Sequence, residues 1–278
     1  MSPGPEGTLA QTERERQAFE KVDLARNPGR PRTLQVINTI FGNWTELRGD
    51  RLFHDDQAIV GGFAQMGSRW VMVVGHEKGT DSKSRVDHNF GMPHPEGYRK
   101  AQRLMHLAAR FAVPVICFVD TPAAHAGVGA EERGQGWAIA ESLRTMLELP
   151  TPIISVILSE GGSGGALALA LADVVLSLEH AIYTVAPPET CAAILYRDAG
   201  QKARAAAALK PTVDWAHRLG VVDELIPEPA PGAHAHPLIV MSGIRGALVR
   251  HLDRLMAKSI PDLMAQRLLR YRNPAPGD

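Results

Sequence analysis

The chain has 278 residues, enough to bury a full hydrophobic core in one large domain or two small ones. Lys+Arg and Asp+Glu both number 30, so no charge excess points to nucleic acid or a membrane surface, and the 5% aromatic content argues against a base-stacking platform. Cys117 and Cys191 lie in apolar surroundings with no CxxC and no Cys/His cluster, which predicts buried thiols and no metal on this chain.

Residues 1–9 are polar and rich in Pro and Gly and read as disordered, with no signal-peptide core, so a cytoplasmic protein is expected. Gln11 to Ala25 fits one amphipathic helix, stopped by Asn27-Pro28-Gly29, and Thr33 to Leu47 fits a second. Ala58 to Phe63 and Trp70 to Gly75 read as strands around a Met66-Gly67-Ser68 turn. Pro95 to Phe111 is a helix, because Leu104, Leu107, Ala108 and Phe111 repeat at i, i+3, i+4 and i+7. Val115 to Val119 is a short strand ending at Asp120. A helix over Glu131 to Leu147 and a strand over Ile153 to Leu158 follow. Val174 to Leu178 and Ile182 to Val185 are further strands, and Ala203 to Leu219 is helical with a break at Pro211. The longest apolar stretch, Ala166 to Leu178, is interrupted by Asp173 and too short to span a bilayer. Beyond the linker at Pro227-Glu228-Pro229, the last helix is expected over Pro237 to Lys258. Alternation of strands and helices makes this an α/β chain with largely parallel pairing.

The segment IISVILSEGGSGGALALALA, from Ile153 to Ala172, carries the chemistry. A β-branched run enters Gly161-Gly162-Ser163-Gly164-Gly165 and leaves as an Ala/Leu helix. Glycines let the backbone approach a ligand, and the N–H groups of a helix start are unpaired. Such a turn stabilises an oxyanion. It is not a nucleotide loop: Ala166 and Leu167 stand where Gly-Lys-Ser/Thr would be needed, and Glu132 breaks the glycine pattern begun at Gly127-Val128-Gly129. The turn also satisfies G-x-S-x-G, so a serine hydrolase with a Ser163 nucleophile stays open. Asp173, Asp214 or Asp223, with His234 or His236, would complete its triad.

Two further regions flank this turn in chemistry. Asp120 to Gln135 is a small-residue loop after a strand, where α/β sheets bind ligands. His125 is its group that titrates near neutrality, and Glu131 and Glu132 suit either a helix start or a partner contact. Gly75 to Lys100 holds Lys78, Lys83, Arg85, Arg99 and Lys100 among glycines. That fits a loop recognising phosphate or carboxylate as well as it fits a charged surface.

Eight blocks together resemble the α subunit of the bacterial acetyl-CoA carboxylase carboxyltransferase. They are RPRTL from Arg30, GDRLFHDDQAIVGG from Gly49, GHEKG from Gly75, NFGMPHPEGYRKAQRLM from Asn89, DTP from Asp120, GVGAEERGQ from Gly127, SEGGSGGALA from Ser159 and IPEPAPGAHAHP from Ile226. The resemblance runs over roughly residues 22–260. It implies a crotonase/ClpP-like spiral of ββα units with flanking helices. Residues 33–260 would be the carboxyltransferase domain, 1–32 an N-terminal tail with a short helix, and 261–278 a C-terminal tail.

The resemblance also implies an activity, the transfer of carboxyl from carboxybiotin on a carrier protein to acetyl-CoA, giving malonyl-CoA. The implied partners are a β subunit with a zinc ribbon, the biotin carboxyl carrier protein and biotin carboxylase, with the carboxyltransferase assembled as α2β2. By resemblance the backbone N–H groups of Gly164 and Gly165 form the oxyanion hole for biotin. Each such donor is worth roughly 3–4 kcal/mol in other enzymes. Gly161, Gly162 and Ser163 shape the turn, and Ala123, Ala124, His125, Gly127 and Gly129 wall the pocket. The family carries this turn without a serine nucleophile.

Departures are concentrated in that wall. The family run after Asp-Thr-Pro is Gly-Ala-Tyr-Pro, whereas this chain has Ala123-Ala124-His125-Ala126, and Thr190 stands at a family glycine. A paralogue carboxylating another acyl-CoA, or a biotin-independent crotonase-type decarboxylase or hydrolase, is therefore also compatible with the residues.

Overall fold

The computed structural model describes residues 5–272, with side chains from Thr12 onward, so the first four residues of the segment expected to be disordered lie outside it. Helix α1 (Pro5–Ala25) begins six residues earlier than the charge pattern predicts. It docks through Val22 and Ala25 against Ile182 and Ala206. Helix α2 (Thr33–Ile40) stops short of Leu47, because Phe41 is extended and Asn43 takes a left-handed φ of 48°. The chain then enters strand β1 (Gly42–Glu46), which the sequence had as helix.

Strands β2 (Ile59–Met66) and β3 (Arg69–His76) pair antiparallel across the expected turn, in which Gly67 has φ 63°. After the short α3 (Ser82–Asp87), helix α4 (Pro95–Arg110) closes a β2–β3–α4 unit, a ββα unit of the kind expected. Strand β4 (Val115–Thr121) follows. The single helix expected over Glu131 to Leu147 is two, α5 (Val128–Glu132) and α6 (Gln135–Glu148). Gly134 between them sits at φ 80°, a conformation that breaks a helix.

Strand β5 (Ile153–Gly162) runs four residues past Leu158, straight into α7 (Ser163–Ala170). Next come β6 (Val174–Leu178), β7 (Ile182–Thr184) and α8 (Pro188–Tyr196), a helix the sequence reading missed. Helices α9 (Lys202–Leu209) and α10 (Val213–Arg218) flank the predicted break at Pro211. Strand β8 (Glu224–Ile226) and helix α11 (Pro237–Met256) follow.

Residues 261–278, expected as a tail, instead contribute through Arg272 to helix α12 (Ile260–Arg272). Its Arg267 is buried and donates to Asp173 at 2.7 and 2.8 Å and to the carbonyls of Met146, Leu149 and Thr151.

All strands form one eight-stranded sheet in the order β1-β2-β3-β4-β5-β6-β8, with β7 paired to the far end of β5. Pairing is antiparallel through β3 and parallel from β3 onward. Every residue of β4 and β5 is buried, as parallel strands covered on both faces must be. These two strands hold the site, because their C-terminal ends deliver Asp120–Pro122 and Glu160–Gly162 side by side.

Candidate active site

Thr121 pairs opposite Gly161, so the loop leaving β4 lies directly on the turn leaving β5. The contact leaves no room for side chains. A Cβ on Gly162 would overlap the Pro122 carbonyl, and one on Gly165 would overlap the Ala124 backbone nitrogen and stand 3.0 Å from the Tyr98 hydroxyl. Gly164 is different, since its nearest neighbour would be Ile139 at 3.7 Å. Ser163 carries the turn at φ 53°, left-handed and strained for a residue with a side chain.

Helix α7 begins at Ser163, so the N–H groups of Ser163, Gly164 and Gly165 have no carbonyl one turn back. Ser163 and Gly164 line a cavity of about 450 Å³ whose remaining wall includes Leu167, Tyr183, Trp215 and Leu219. Amide donors of a helix start at the rim of a largely apolar cavity can hold negative oxygen away from bulk water. Gly165 is buried beneath the Ala123–Ala124 peptide.

Behind the turn, residues from four separate motifs meet in a buried charge network. Lys78 Nζ donates to Asp120 Oδ1 at 2.7 Å and to Glu160 Oε2 at 2.5 Å. Arg32 Nη1 reaches Asp120 Oδ2 at 2.7 Å, while Arg26 bridges Glu160 and Glu189. Burial alone would raise the Asp120 carboxyl, but Lys78 and Arg32 outweigh it and hold the group below its ordinary value. Deeper still, Arg30 and Glu228 form a fully buried pair, and Arg30 also donates to the Leu158 carbonyl of β5. These pairs clamp the strand end from which the glycine turn departs.

His76, next to this network, is completely buried, and among the described residues neither ring nitrogen makes a hydrogen bond of good geometry. Burial, opposed by the Asp120 charge, pulls its pKa down to about 4, so the ring is neutral at pH 7.

The structure distributes the residues singled out from sequence. Gly161 and Gly162 end β5, Ser163 and Gly164 face the cavity, and Ala123 and Ala124 roof Gly165. The His125 ring lies against His94 at a tilt of 41° with centroids 4.1 Å apart, and its Nδ1 lies 3.0 Å from the Asn89 amide nitrogen. Burial, then the neighbouring His94 and Arg133, lower its pKa. Gly127 packs against that ring and Gly129 lies beside Arg133. The aromatic and aliphatic wall from β7 and α10, with Tyr183 and Trp215, escaped sequence reasoning. Of the five cations between Gly75 and Lys100, Lys78, Arg99 and Lys100 are consumed by carboxylates.

The hydrolase triad does not assemble. Asp173 is held by Arg267, Asp223 by Arg270 and Asp214 by Lys21. Among the described residues no hydrogen bond joins Ser163 or any of these aspartates to His234 or His236. Cys117 is buried, and burial pushes its thiol up to about 12, whereas Cys191 is only half-buried; both are free. Among the described residues no group of three or more His, Cys, Asp or Glu side chains could hold a metal ion, and no helix is long and apolar enough to cross a membrane.

Comparison with known proteins decides the family. Residues 7–275 match the family described as acetyl co-enzyme A carboxylase carboxyltransferase-like. The chain belongs to this family. It is 51% identical over 92% of its length to the acetyl-coenzyme A carboxylase carboxyl transferase subunit alpha of Heliobacterium modesticaldum, covering 76% of that protein. The Thermus thermophilus subunit alpha is 53% identical over 92% of this chain, with 82% of that protein covered. A Salinispora tropica relative, named as subunits beta/alpha, is 52% identical over 92% of this chain and 45% of its own length. Among solved structures, the transcarboxylase 12S subunit superposes with a TM-score of 0.65 at 22% identity, covering 80% of this chain and 41% of that one. The fold is thus the carboxyltransferase, crotonase-like fold expected. The α-subunit assignment stands, and the biotin-independent and hydrolase alternatives are not favoured.

Proposed function

We propose that this chain is the biotin-facing half of a two-subunit acetyl-CoA carboxylase carboxyltransferase, working in the cytoplasm as α2β2 with a β subunit. The observation that carries the reading is the start of α7 opening onto an apolar cavity while its strand is clamped by buried ion pairs. The cavity suits a compact bicyclic ring with one polar edge: its wall is mostly aromatic and aliphatic, with Thr184 and Lys210 as further polar side chains, and its amide donors sit at one rim. Carboxybiotin, delivered there on its carrier protein after loading by biotin carboxylase, supplies the carboxyl group destined for acetyl-CoA.

This chain's own residues do three things. The Gly164 N–H, with Gly165 behind it, donates to the oxygen on which negative charge develops. Leu167, Tyr183 and Trp215 exclude water, which strengthens that hydrogen bond. The Lys78–Asp120–Arg32 and Arg30–Glu228 pairs keep the donors in place, so little reorganisation is needed during reaction. No side-chain nucleophile takes part. The fused beta/alpha relative supports a β partner. The test is transfer of carboxyl from malonyl-CoA to biocytin by this chain alone and with a co-expressed β subunit. Activity that requires both chains supports the reading, and turnover of thioesters by the lone chain overturns it.

A further inference from the structure

A second cavity, of about 570 Å³, lies along the outer face of α4, away from the glycine turn. Arg99, Arg103, His106 and Arg110 line it at i, i+4, i+7 and i+11, a spacing that makes one stripe about 16 Å long on a helix. Arg51 closes it from the loop between β1 and β2. Asp50 is the single carboxylate in the lining, and it is already engaged. Its Oδ2 accepts from Arg99 at 2.8 Å, and its Oδ1 accepts the backbone N–H groups of Leu52, Phe53 and His54.

Among the described residues the other arginines of the groove have no anion of their own. Among the described residues Arg110 has no side-chain partner. Among those residues Arg51 and Arg103 donate only to carbonyls: Arg51 to Arg48, and Arg103 to Gly49 and Arg48. Burial, then the nearby Arg51 charge, pull Arg103 below the ordinary arginine range despite Asp50 and Asp55. Arg51 also holds φ 66°, an unfavourable conformation for a long side chain, fixed by the Asp50 turn that aims it at α4. A strained backbone that brings a cation toward other cations is compensated when an anion lies between them.

We infer that this groove binds an anion carrying at least two phosphate groups. Several guanidinium forks within one short stripe match a phosphate chain better than a single carboxylate. The inference is independent of the proposed active site, which uses none of these residues. The phosphate chain has two possible sources, the nucleotide end of a CoA thioester or a free phosphorylated metabolite.

The test is calorimetric titration of pyrophosphate into the full chain, alone and in its α/β complex. Saturable binding is expected, weakened about tenfold or more by Arg110→Gln and by Arg51→Gln, because each loses a charge-assisted contact. Arg110 holds nothing in the fold, so its variant reports on binding rather than folding. Arg144→Gln, at an exposed arginine on α6, leaves the affinity unchanged. Displacement of pyrophosphate by CoA assigns the site to the thioester's nucleotide end; displacement by ADP but not CoA assigns it to a separate ligand, and either supports the groove. Absence of saturable binding at millimolar pyrophosphate, or parental affinity retained in both groove variants, overturns it.

Discussion

The carbonyl of Pro122 occupies the space that a side chain on Gly162 would need. This one contact ties the loop after β4 to the turn after β5 and sets where the first amides of α7 point. Gly162→Ala forces the two backbones apart at a cost of about 3 kcal/mol. Gly164→Ala, with Ile139 at 3.7 Å, is expected to be neutral or slightly stabilising. Urea unfolding of the two variants checks the contrast.

Removing the cation at the centre of the network leaves Asp120 with only Arg32 and Glu160 with only Arg26. Lys78→Met therefore destabilises the fold by about 2–3 kcal/mol, less than a wholly unpaired buried charge would cost. Acid does the same to Asp120 and Glu228. Both are held below their ordinary values of 3.8 and 4.5, so the unfolded chain takes up their protons first. The stability they confer is complete above about pH 4.5 and drains as pH falls through the lowered folded values. Unfolding midpoints across that range measure it.

His76 imposes a second pH dependence, at milder acidity. The unfolded chain binds this proton below pH 6.5 and the folded chain only below about 4, so stability falls as pH drops across that window. The loss approaches about 3 kcal/mol. His76→Leu removes the titrating ring from an otherwise completely buried site. It is expected to flatten stability between pH 6.5 and 4, read by urea titration at stepped pH.

Ser163 is exposed and has no catalytic partner, despite its strained backbone. Ser163→Ala is expected to keep carboxyl transfer within a few-fold of the parent, and a fluorophosphonate is expected not to label the chain. Labelling at Ser163 would contradict the account.

Much of this architecture was legible because local pattern and tertiary setting agreed. The period of α4, the apolar runs of β4 to β6 and the glycine turn each predict what forms. The misreadings share a cause. Phe41 to Leu47 has enough apolar spacing for a helix, but pairing with β2 makes it a strand. Helix α12 is too polar to announce itself, and its docking rests on Arg267, a residue whose burial only Asp173 and three carbonyls explain. The resemblance pointed to Gly164, whereas the cavity wall beside it comes from Tyr183 and Trp215, which only the sheet order brings next to the turn. His125, alone in sequence, turns out to be one half of a tilted ring pair with His94.

The central claim is that a backbone donor at Gly164 does the work, and one pair of variants isolates it. Gly164→Ala keeps the N–H; Gly164→Pro deletes it at a first-turn position where proline fits a helix. Transfer of carboxyl from malonyl-CoA to biocytin would be measured on each α/β complex, with circular dichroism and complex formation confirming the fold. The account predicts near-parental turnover for the alanine variant and a loss of about 10²–10³ in kcat for the proline variant. A folded, β-associated Gly164→Pro enzyme turning over at the parental rate would contradict it.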